Sequence, residues 1–105
     1  MSLKKSAYLI IAHGTRDPEG KKALGEFLKK FRAAYPHRFV EGAFLSLAKP
    51  TIPEAIECCV RQGSEQIFVI PLLFFPGRHA KEDIPRIIQE AKNKYPEIDF
   101  HYASP

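Results

Sequence analysis

Two of the four histidines in this chain stand where an apolar run gives way to polar residues. In "YLIIAHGTRDPEG", residues 8–20, His13 is the first polar side chain after the run, and Gly14, Thr15, Arg16 and Asp17 follow it directly. His79 occupies a similar position further on. It follows the apolar stretch from Ile67 to Pro76 and is flanked by Arg78 and Lys81, with Glu82 and Asp83 beyond. A turn needs only the glycine, so an imidazole, a guanidinium and a carboxylate crowded around it call for a separate reason. Two neutral imidazoles facing one another suit a borderline divalent ion such as Co²⁺, Ni²⁺, Fe²⁺ or Zn²⁺. They equally suit proton abstraction, because histidine exchanges its proton near neutral pH.

Whether the two histidines meet depends on the elements that carry them. Four short β-rich runs alternate with three helical patterns, which indicates a parallel α/β sheet. The strands are expected at Ala7–Ala12, Phe39–Leu45, Gln66–Pro71 and Asp99–Tyr102. The first helix starts at Asp17 with Pro18 in its first turn, and its apolar stripe is Ala23, Leu24, Phe27, Leu28 and Phe31. Thr51-Ile52-Pro53-Glu54 has the spacing of a capping box ahead of a second stripe, Ile52, Ala55, Ile56, Cys59 and Val60, which Gly63 ends. A loop from Leu72 to Lys81 precedes a third stripe, Ile84, Ile87, Ile88 and Ala91. The first and third strands are apolar enough to be central. Right-handed crossovers then favour the order 2-1-3-4, in a three-layer sandwich. In that order the chain leaves strands 1 and 3 towards opposite faces, opening a crevice at their carboxyl ends. His13 and His79 both fall there, with Thr15, Arg16, Arg78 and Lys81, and with Ser46 and Lys49 further out. His37 follows a helix-ending proline at the opposite edge and His101 lies within an edge strand, so both read as structural or solvent-facing.

The chain is expected to fold as a single domain over residues 1–105, with residues 1–5 disordered or tag-derived. The 45% of apolar residues suffices for one core. No stretch approaches the length of a membrane span and no signal peptide is evident, so a soluble, cytoplasmic protein is expected. The formal charge of +4 comes largely from lysines and arginines on amphipathic helices, and no stacking motif accompanies it. Nucleic acid is therefore not expected as a partner. Neither a G-x-G-x-x-G fingerprint nor a P-loop is present, and neither Ser46 nor Ser104 sits in a nucleophile elbow. Adjacent Cys58 and Cys59 point about 100° apart on a helix and read as reduced packing residues.

Three motifs together, "LIIAHGTRDPE" (9–19), "AFLSLAKPTIPEAI" (43–56) and "VIPLLFFPGRHAKEDIP" (69–85), resemble the small CbiX-type sirohydrochlorin chelatases, short relatives of the class II chelatases. The resemblance implies a chelatase-like fold that inserts Co²⁺, or alternatively Fe²⁺ or Ni²⁺, into sirohydrochlorin in cobalamin or sirohaem synthesis. The metal is a substrate, and no organic cofactor is implied. His13 and His79 match the family's two histidines as metal ligands and proton acceptors. Arg16, Arg78 and Lys81 would meet the carboxylate arms of the tetrapyrrole, with Thr15 and Ser46 beside them. Short members are expected to pair as homodimers. Two departures stand out: many members carry glutamate where this chain has Ser46, and the chain stops just after its fourth strand. A module that binds a tetrapyrrole or metal without inserting it, and a half-chelatase subunit of a larger assembly, are the alternative readings.

Overall fold

A computed structural model describes residues 4–14, 17–72 and 78–102, with the side chains of 78–81 outside that description. The elements run β1 (Ser6–Ala12), α1 (Pro18–Ala34), β2 (Phe39–Phe44), α2 (Ile52–Arg61), β3 (Gln66–Leu72), α3 (Arg78–Lys94) and β4 (Asp99–Tyr102). All strand pairs are parallel and the sheet order is β2-β1-β3-β4, as the alternation of patterns indicates. The central strands are in register from Ser6 opposite Gln66 to Ala12 opposite Leu72, so their carboxyl ends finish level with one another.

The helices divide unequally between the two faces. On one side α2 and α3 pack Ile52, Ala55, Ile56, Cys59, Ile84 and Ile88 against Leu9, Ile11, Ile67 and Val69 of the sheet. On the other side α1 alone among the described helices contributes, placing Leu24 and Leu28 over Ile10, Val40 and Phe44. Gly42 of β2 permits this approach, since a Cβ there would meet Leu28 Cδ1 at 2.6 Å.

Local chemistry accounts for the helix ends. Asp17 caps α1, its carboxylate accepting from the Glu19 N–H at 3.0 Å, and the Tyr35 N–H returns to the Phe31 carbonyl at the other end. At α2 the capping box is complete: the Glu54 N–H donates to Thr51 Oγ1 at 3.3 Å, and the Thr51 N–H donates to Glu54 Oε1 at 2.9 Å. The Thr51 backbone N–H, and after it the Thr51 hydroxyl, hold the Glu54 carboxyl below its ordinary pKa.

Two expectations are corrected. The stripe of α1 is narrower than its spacing suggests: Ala23 is exposed and Phe27 is 37% exposed, because only the centre of the stripe meets the sheet. The third helix begins at Arg78, so the expected loop through Lys81 is shorter and Arg78, His79 and Lys81 lie in the helix's first turn. Pro85 is thereby internal to α3. Its φ suits a helix, and the donor it lacks would serve the carbonyl of Lys81, so the cost falls within that first turn.

Candidate functional site

In a parallel sheet each strand delivers the chain to the carboxyl rim, and the next helix starts from there. Ala12 and Leu72 are register partners at the ends of β1 and β3. His13 directly follows Ala12, and α3, with His79 as its second residue, opens six residues after Leu72. The side chain of His13 is exposed. The side chain of His79 lies outside the described residues, as do those of Arg78 and Lys81, and Thr15 and Arg16 lie outside them altogether.

Ser46, expected further out, is part of the same rim. The Leu45 N–H donates to the Ala12 carbonyl at 2.9 Å and the Ser46 N–H to the His13 carbonyl at 3.2 Å, so the β1–β2 ladder continues past the strand ends. Gly14, at φ 135°, completes the contact. A Cβ on it would stand 2.0 Å from the Ser46 carbonyl oxygen and 3.0 Å from Ser46 Oγ. Only glycine fits a backbone approached so closely in that conformation. The loop closes where the Phe44 N–H donates to the Pro50 carbonyl at 2.9 Å and Phe44 bridges to Thr51, which caps α2. Lys49 is exposed on the same loop. The sequence reading passes over Leu47, at φ 66° and 58% exposed, because neither glycine nor asparagine marks that position.

The remaining candidates separate from the rim. His37 is exposed beside Lys5 and Arg38 in a hollow at the amino-terminal end of the sheet. His101 on β4 stacks on Phe68 with ring centroids 4.5 Å apart and lies 3.1 Å from Gln66 Oε1 through Nε2. Both cysteines are unpaired thiols. Burial pushes the Cys59 thiol up to about 12 and raises Cys58 as well, and an unreactive protonated thiol is what a packing residue presents. A hollow of about 130 Å³ between α2 and α3, lined by Pro53, Ile56, Ile87 and Tyr95, belongs to the helix layer and not to the rim. Among the described residues no group of three or more His, Cys, Asp and Glu side chains is arranged to hold a metal ion.

The charge of α3's first turn is unusual. A helix amino terminus carries partial positive charge and favours acidic neighbours, as α1 and α2 show with Glu19 and Glu54. The first turn of α3 holds no acidic residue and carries Arg78, His79 and Lys81. Helix amino termini in general favour anions.

The fold and rim thus define a parallel α/β protein with a histidine and the start of a helix at the carboxyl ends of its central strands, where open α/β sheets form a crevice. The CbiX family profile matches residues 7–105, and the chain belongs to that family. It is 38% identical to a sirohydrochlorin cobaltochelatase of Priestia megaterium over 98 residues, covering 92% of this chain and 31% of that protein. It is 36% identical to the sirohydrochlorin cobaltochelatase of Saccharolobus solfataricus, over 92% of this chain and 79% of the relative. Among solved structures, the sirohydrochlorin chelatase SirB from Bacillus subtilis subspecies spizizenii in complex with cobalt superposes with a TM-score of 0.87 at 39% identity, over 96% of this chain and 43% of that one. The chain spans between 31% and 43% of the length of the first curated relatives it matches.

Proposed function

We propose that this chain inserts a divalent metal ion into sirohydrochlorin, Co²⁺ first, with Fe²⁺ and Ni²⁺ as the alternatives. The observation that carries the reading is the level finish of β1 and β3, which sets His13 and the start of α3 on one rim. The relatives named as cobalt and iron chelatases support the same reading. In it, His13 and His79 bind the incoming ion through neutral nitrogens and take up the two pyrrole protons that insertion releases. Imidazole suits a metal that must be surrendered, since it binds such ions without the retention of thiolates. Sirohydrochlorin brings eight carboxylate arms. Arg16, Arg78 and Lys81 would pair with them by charge-assisted hydrogen bonds. Thr15 and Ser46 would add hydroxyl contacts. The reading extends to a homodimer whose second copy closes the cleft, to a cytoplasmic protein, and to a role in cobalamin or sirohaem synthesis without nucleic-acid or membrane partners.

A second reading, a module that holds a tetrapyrrole or metal without inserting it, is favoured by the hydroxyl that Ser46 offers against Gly14, next to His13 in the chain, in place of a charged ligand. Anaerobic insertion of Co²⁺, Fe²⁺ and Ni²⁺ into sirohydrochlorin, followed by absorbance, separates the two. Acceleration that disappears in both His13→Ala and His79→Ala supports the chelatase. Binding without acceleration supports the module, and Ser46→Glu is then the variant to examine for gained activity.

A further inference from the structure

Leu47 is the one non-glycine residue with positive φ among the described residues, and leucine is disfavoured in that region because its Cβ crowds the backbone. Burial commonly compensates such strain. Here the side chain is 58% exposed, more than Phe27 at 37% or Tyr35 at 45%. The loop is anchored on both sides of it. Leu45 packs into the core beneath α2 and α3, while Ala48 packs into the core beneath α1, so the residues on either side of Ser46 and Leu47 are anchored in opposite layers. The Ser46 N–H is bonded to the His13 carbonyl, and its own carbonyl lies against Gly14. Turning Leu47 inward would withdraw one of these anchors. The fold therefore holds an apolar side chain in water, in an unfavourable backbone conformation, one residue from the backbone bond to His13.

Resting on the reading under Proposed function, we propose that Leu47 is a substrate-contacting residue whose side chain packs on the apolar face of the tetrapyrrole ring. Cations at the rim recognise the carboxylate arms, but they leave the flat ring itself without a partner. Among the described residues of that rim, Leu47 is the large exposed apolar group. Its exposure is removed when the ring covers it. Strained residues tend to gather at ligand-binding sites for this reason: the surrounding structure holds them ready in the free protein.

Titration of metal-free sirohydrochlorin against the unsubstituted chain, Leu47→Asn, Leu47→Gly and Leu47→Met, with a thermal melt of each, tests the proposal. Asparagine and glycine both accept positive φ, so their melting temperatures should equal or exceed that of the unsubstituted chain. Their tetrapyrrole Kd should rise by about 10-fold, the loss expected when a leucine-sized contact is removed. Leu47→Met should retain tight binding. If the unsubstituted chain binds sirohydrochlorin and Leu47→Asn and Leu47→Gly bind it equally well, the role of Leu47 is overturned and the chelatase reading stands. Weaker binding accompanied by a lower melting temperature in both would make Leu47 a structural residue and overturn the proposal. Failure of the unsubstituted chain to bind sirohydrochlorin would overturn both.

Discussion

The two ends of the sheet are held together by different mixtures of groups. At the amino-terminal end, side chains reinforce main-chain bonds from Glu65 and Gln66 to Lys5 and from Asp99 to Glu65: Lys4 pairs with Asp99, the Lys5 N–H donates to Glu65 at 3.0 Å, and Gln66 links Ser6 at 2.7 Å to His101 at 3.1 Å. At the carboxyl end the joining is done by backbone, through Ala12 to Leu45, His13 to Ser46, and Gly14 laid against Ser46. Structure secured by main-chain groups leaves side chains available for chemistry. The contrast teaches that the carboxyl rim can lose its side chains one at a time without losing its shape, whereas its glycine is indispensable.

Gly14→Ala should break that contrast most severely. A methyl group 2.0 Å from a carbonyl oxygen forces the two loops apart, and positive φ adds strain, for a destabilisation of about 3 kcal/mol measured by urea denaturation. Metal insertion should fall with it, because His13 moves with its own carbonyl. His13→Ala and His101→Ala sharpen the comparison from the side-chain direction. The first should abolish insertion while leaving the melting temperature within a degree or two, as expected for an exposed residue. The second should leave insertion intact and lower stability modestly, through lost stacking on Phe68.

A smaller effect is expected at Thr51, where the carboxyl rim passes into α2. Thr51→Ala removes the cap oxygen and should cost about 1 kcal/mol in the same denaturation assay, with no change in tetrapyrrole affinity. The smallest effect belongs to the amino-terminal end. Hydrogen bonding and charge between Lys4 and Asp99 lower the pKa of the aspartate and raise that of the lysine, and both side chains remain about half exposed. A lowered carboxyl contributes stability above its unfolded pKa and loses it as pH falls through the folded one. A raised lysine contributes below its unfolded pKa and loses it as pH rises through the folded one. The difference in melting temperature between the unsubstituted chain and Asp99→Asn should therefore be slight near neutrality, vanish in acid, and shrink in 1 M salt, on the order of a 3 Å screening length.

Much of this architecture is legible in the residues themselves. Hydrophobic runs locate all four strands, Asp17 and the Thr51–Glu54 pair announce two helix starts, and apolar strands 1 and 3 imply the sheet order that brings His13 and α3 to one rim. What escapes the sequence depends on tertiary placement. Ala23 and Phe27 share the spacing of Leu24 and Leu28, yet α1 is the lone described helix on its face, so the flank of its stripe has nothing to bury it. The start of α3 is hidden by Pro85, which argues for a helix beginning later than Arg78. The nearness of Ser46 to His13 is invisible because it rests on main-chain bonds available to nearly any residue, and only Gly14 hints at it.

The margin of the sheet at β2 bears on how copies of the chain could assemble. There the Val40 carbonyl accepts from the Arg32 guanidinium at 2.8 and 3.2 Å, the Gly42 N–H donates to its neighbour Glu41 at 3.0 Å, and the Phe44 N–H is taken by Pro50. These are the groups a foreign strand would need in order to zip onto an open border. Growth of a fibre requires two receptive borders on every unit, one to join and one to be joined. With these three groups of β2 already engaged, that border is a poorer acceptor for a foreign strand than an open one, which works against repeated strand addition on this side of the sheet.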